Sequence, residues 1–176
     1  VQEAHHRGRA VEHRLVHVDV DDLGAVLDPL AGDGERGLEV AQATGNVGVR
    51  AWLQYLRARV ALRRGDTPAA REALAQGVEV AVTHGMASLK AYGLLVFAEL
   101  LEAQGRAMAA RRLLAFAADN AAFNVADRDE LRSEWARRAG AAQPDPAWCG
   151  PALDELLHRI VSERTRSHDG LIAELG

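Results

Sequence analysis

The sequence predicts an all-α protein of antiparallel helix pairs stacked as an α-solenoid, and three observations carry that expectation. Glycines punctuate the middle of the chain at a fixed interval: Gly45 and Gly85 lie forty positions apart, as do Gly65 and Gly105. Each stands where a helix would end in a left-handed residue. The stretch "RRGDTPAAREAL" (63–74) returns forty positions later as "AQGRAMAARRLL" (103–114), and a repeat of that length marks stacked supersecondary units. The composition agrees, with 48% apolar residues, only 5% aromatic and abundant alanine. An interior of small and aliphatic side chains favours close-packed helices over a sandwich.

Element by element, the 176 residues read as one domain: N-terminal helices up to residue 45, two repeat units over 46–122, and C-terminal helices over 123–176, about eight or nine helices in all. In residues 1–30, Val11, Leu15 and Val18 fit a helical face while "HVDVD" alternates like a strand, helix being the preferred reading. "AGDGERG" is a turn-rich joint, followed by a short helix with Leu38 and Ala41 on one face, ending at Gly45. Four helices then fill 46–122. In the second, Thr67 is the expected cap, Pro68 opens the first turn, and Ala70, Leu74, Val78 and Ala81 form the buried stripe. The third, around 86–104, is apolar on nearly all sides between Leu94 and Leu101, as expected of a helix covered by neighbours. Beyond 122 the register changes. Asp127 and Glu130 have capping-box spacing, Leu131 and Trp135 share a face, and Gly140 closes that helix. After the loop "AAQPDPAWCGP", Pro151 opens an amphipathic helix with apolar residues at 153, 156, 157, 160 and 161. The final "SHDGLIAELG" is a short helix capped by Ser167, or a frayed end.

Within each unit the small and large positions are spaced alike: Ala58, Gly65, Ala70, Leu74 and Gly77 in the first, Ala98, Gly105, Ala110, Leu114 and Ala117 in the second. Two helices joined by a tight turn approach closely only where both present little side chain, and the leucine fills the gap between units. This pattern resembles the tetratricopeptide repeat over residues 46 to about 122. Its period is forty, and Gln54 and Arg57 stand where that family places an aromatic residue and a leucine early in the first helix. More widely, "LLVFAELLEAQGRAMAARRLLAFAADNAAFNVADRDELRSE" looks like the helical-repeat tail of large bacterial signalling ATPases and of LuxR-type or SARP-type transcriptional regulators. The resemblance implies degenerate repeats that sense a partner or effector for other domains. No nucleotide-binding motif lies in this chain, so ATPase and DNA-binding functions are not carried over.

Composition narrows the function classes. A net charge of −4 argues against direct nucleic-acid binding. No apolar run reaches the roughly 18 residues of a membrane span. The single cysteine, Cys149, leaves no intramolecular disulfide and suggests a reducing compartment, so a cytoplasmic location is expected. The absence of an initiator methionine hints at a piece of a longer polypeptide. No cofactor is expected, and no constellation reads as catalysis.

The site expectation follows from the repeat. The first helix of each pair would line a concave groove, presenting Trp52, Tyr55, Arg59 and Arg63 from one unit and Tyr92, Leu95, Glu99 and Glu102 from the next. Aromatic and arginine enrichment suits a binding surface for a protein, peptide or small effector, although the arginine row can also pair with the glutamate row. Other candidates are weaker. His6, His13 and His17 share a helical face and, with Glu3 or Asp21, have zinc-ligand spacing; such pairs also arise by chance. Cys149 with His158 lacks any cysteine-enzyme signature. The Arg64-Gly65-Asp66 tripeptide copies an adhesion motif but occupies the repeat turn. The expectation is a non-catalytic recognition module of a multidomain regulator. A free-standing adaptor is the alternative, a small metal-dependent or cysteine enzyme a weaker one, and self-pairing stays open for a stack with an apolar end.

Overall fold

The computed structural model describes residues 43–139 and 152–163, together with 37, 39, 41, 170 and 173. Among them every regular element is an α-helix: α1 (Val47–Arg63), α2 (Thr67–Thr83), α3 (Ala87–Ala103), α4 (Ala107–Asp119), α5 (Val125–Ala139) and α6 (Leu153–Ser162). Residues 37, 39, 41 and 43 are also helical.

The glycine punctuation is realised directly. Gly45, Gly65, Gly85 and Gly105 have φ of 67°, 73°, 64° and 75°, the left-handed region that only glycine enters freely. After α1, the Gly65 amide donates to the Leu62 carbonyl at 3.0 Å and the Asp66 amide to that of Ala61 at 2.9 Å. Those are the two bonds of a Schellman end. The same pair recurs after α2 (Gly85 to Val82, Met86 to Ala81) and after α3 (Gly105 to Glu102, Arg106 to Leu101).

The start signals lie earlier than the sequence suggests. The Asp66 carboxylate, not Thr67, accepts from the Ala69 amide at 3.0 Å, and Pro68 sits in the first turn. At α5 the cap is Asn124, whose carbonyl oxygen accepts from the Asp127 amide at 2.9 Å; Asp127 is the third residue of the helix rather than its cap. Asparagine and aspartate at those positions reach the free amides better than a residue already inside the turn.

Packing follows the small-residue pattern. α1 lies against α2, and α3 against α4; α3 also touches α1, α2 and α5, so it is enclosed as its all-round apolar character requires. Ala58, Ala70, Leu74, Ala98, Ala110, Leu114 and Ala117 are all essentially without solvent exposure. A second cluster on the far side of α1 joins Leu53 and Leu56 to Ala41. The stripe Leu153, Leu156, Leu157 and Ile160 is buried too. Yet α6 does not extend the helix order: it packs on α2, and Lys90 of α3 reaches Asp154 at 3.8 Å. Serial stacking would have placed it beside α5.

Candidate functional site

The residues expected to line a groove divide by depth. Tyr55 is fully enclosed, Arg59, Tyr92 and Leu95 are buried, Trp52, Glu99 and Glu102 are half-buried, and Arg63 is exposed. The arginine and glutamate rows meet. Arg59 Nε donates to Glu99 Oε2 at 2.8 Å and Nη2 to Oε1 at 2.5 Å, a two-point clamp between residues at the same place in successive units. Its Nη1 donates to the Tyr92 hydroxyl at 2.9 Å, and its guanidinium carbon lies 5.7 Å from the Tyr92 ring centre. Tyr55 meets Tyr92 edge-on at 5.6 Å.

Burial alone would draw the Arg59 pKa down, but the hydrogen bond and charge of Glu99 outweigh it and hold the value above the usual range. Burial pushes the Tyr55 phenol well up, with Tyr92 adding to it. Tyr92 is raised by burial as well, against the opposing pull of Arg59.

The next contact, between α3 and α5, has its own ties. At one end Arg138 Nε donates to Glu102 at 3.1 Å while the same side chain and Arg137 both pair with the buried Glu134. At the other, Ser88 donates to Asp127 at 2.9 Å and the Asn124 amide donates to it at 2.7 Å. Thus α1, α3 and α5 are joined in order by polar contacts, beside which Trp52, Arg63, Glu99 and Glu102 keep partial or full exposure.

Sequence reasoning did not find the Glu134, Arg137 and Arg138 cluster or the Ser88, Asn124 and Asp127 cluster. The only signal for Glu134 is its spacing of three and four from those arginines. It also missed an open cleft between α1 and α2, lined by Arg50, Gln54, Gln76, Glu79, Thr83 and His84. Asp66 of the Arg64-Gly65-Asp66 turn is engaged as the α2 cap. His6, His13, His17, Glu3, Asp21 and Cys149 lie outside the described residues, and His158 is exposed on α6. Among the described residues no three His, Cys, Asp or Glu side chains gather as metal ligands, and no helix is long and apolar enough to cross a membrane. Comparison with protein-family models, with curated proteins and with solved structures finds no match to the chain.

Proposed function

We propose that this chain is a non-catalytic recognition module, the sensor or interaction region of a multidomain bacterial transcriptional regulator. Its tetratricopeptide-like helix pairs would offer the side formed by α1, α3 and α5 to a protein or peptide. The observation that carries the reading is the polar seam joining those three helices, Arg59 to Glu99 and Glu102 to Arg138, with Trp52, Arg63, Glu99 and Glu102 left accessible along it. A partner that bridges the units competes with or reinforces these ties, and so biases the angle between successive pairs. The regulator context rests on the resemblance of residues 94–134 alone.

Two measurements test it. An antibody against this segment reads the mass of the endogenous polypeptide: a band several times heavier than 19.0 kDa supports the regulator reading, and one near that mass leaves a free-standing adaptor. For a partner so identified, Arg63→Glu, at an exposed residue outside the ion pairs, is expected to weaken binding at least tenfold with an unchanged melting temperature. Unchanged binding sinks the groove. Tyr55 and Arg59 are unsuited to this test, because their burial makes any substitution a probe of folding.

A further inference from the structure

The cleft between the first half of α1 and the second half of α2 has a volume of about 330 Å³, within the range of small-molecule pockets. The charged group left open in it is a donor. Arg50 is half-buried and, among the described residues, forms no ion pair, and its Nε is shut off from solvent without a hydrogen-bond acceptor. A buried cationic donor without a partner is costly, and natural structures rarely leave one so. One helical turn on, Gln54 is only 9% exposed. Its carbonyl oxygen accepts from Arg57 Nη1 at 3.1 Å, which leaves its NH2 to donate beside Arg50.

The negative groups of the cleft are already engaged. Glu79 is exposed and has a partner, so it presents no free carboxylate. At the end of α2 the Val80, Ala81 and Val82 carbonyls accept from the His84, Met86 and Gly85 amides, which blunts the negative end of that helix. Gln76 donates to Glu72 at 2.8 Å, so its own carbonyl oxygen is the neutral acceptor that remains. The first turn of α1 carries no acidic residue, and its positive end adds to the Arg50 side. Thr83 and His84 stand exposed at the rim, and half-buried Val80 gives the cleft an apolar surface. The cleft therefore offers one unmatched positive charge, a neutral donor next to it and an apolar side chain to pack on.

We infer that this cleft binds a small organic monocarboxylate, its oxygens taken by Arg50 and the Gln54 NH2 and its carbon chain lying against Val80. A single unpaired arginine answers one negative charge. Phosphate carries more than one at neutral pH, and the Gln76 oxygen offers nothing to the excess. A cation or a neutral amide leaves Arg50 unanswered. The site lies on the α1–α2 seam and does not depend on the groove along α1, α3 and α5, so either can fail without the other.

The test is a nuclear magnetic resonance titration of the whole chain that follows the Arg50 Nε–H and the Gln54 side-chain amide. The probes are acetate, propionate, butyrate and lactate, with propionamide, propylamine and inorganic phosphate for comparison at constant ionic strength. At least one carboxylate should saturate, shift both signals and bind at least tenfold more tightly than propionamide, propylamine or phosphate. Arg50→Gln should weaken it at least tenfold. The Arg50 side chain has no polar partner among the described residues, so that variant should melt normally. Gln54→Glu is the second variant. It keeps an acceptor for Arg57 while replacing the donor with a negative charge, so it should also weaken the carboxylate at least tenfold, and the dispersed backbone amides of the same spectra report that it is folded. Failure of every carboxylate to saturate, equal binding of propionamide or phosphate, or indifference to Arg50→Gln would each overturn the site.

Discussion

Tyr55 shows how a residue type that suits a binding surface can serve the interior instead. Its ring fills the space left by Gly77 of α2 and Gly93 of α3, and its hydroxyl has no hydrogen-bond partner. Tyr55→Phe removes that stranded group with little change of shape, so it should leave stability unchanged or raise it by about 1 kcal/mol, as read by urea unfolding. A fall of more than that would show that the hydroxyl has a partner. Tyr55 and Tyr92 are the chain's two tyrosines, both raised above the value of about 10 that an unfolded tyrosine shows. The folded state thus holds these protons more tightly. Its stability is whole below pH 10 and declines as pH rises further, because the unfolded chain ionises first. Tyrosinate absorbance should accordingly appear together with loss of helical circular dichroism, not before it. For the Arg59 and Glu99 pair, Arg59→Met strands a mostly buried carboxylate and should destabilise toward the low end of about 3–5 kcal/mol, Glu99 being a fifth exposed. Arg59→Met with Glu99→Leu should recover much of that loss. Opposite charges forty positions apart were legible as rows. Their depth was not, because arginine and glutamate look the same in sequence whether they face water or each other.

At the scale of the helix, the four glycine turns were read correctly, while the caps of α2 and α5 were placed one and three residues late. A glycine after an apolar repeat has one dominant structural reason, the positive φ of the Schellman end, whereas Asp, Thr and Asn compete for the cap within a few residues. Two glycines separate backbone from packing effects. At Gly105, φ is 75° and an added methyl group would meet nothing within 4 Å. Gly105→Ala should therefore cost about 1–2 kcal/mol from backbone strain alone, with no rescue by neighbouring substitutions. At Gly77 the added methyl would lie 2.5 Å from the Tyr55 ring, so Gly77→Ala should cost about 1–3 kcal/mol by overpacking, and Tyr55→Leu should relieve much of it. An undiminished loss when Gly77→Ala is combined with Tyr55→Leu would contradict this division. The rhythm fails after α4: Asn120 turns the chain and accepts from the Ala122 amide at 2.9 Å, and Phe123 is buried. Position 125, where the next glycine would fall, is an exposed valine that begins α5.

For the molecule as a whole, the placement of α6 decides how the parts share stability. Leu156 and Leu157 are fully buried in the same core as Leu74 and Phe97. Leu156→Ala should cost about 2–5 kcal/mol and lower one common melting transition, and a separate early transition would show that α6 is an independent appendage. On α5, Arg132 reaches Asp129 and Asp119 and is half exposed. The sequence by itself determined the helical class, the four left-handed glycine turns and the buried stripes, because each depends on periodicity and local backbone geometry. Only the tertiary structure decided that Arg59 and Glu99 pair inside, that α6 returns to α2, and that Arg50 faces a cleft. Those facts depend on which surfaces meet across long stretches of chain, and helical spacing specifies a face without naming what covers it.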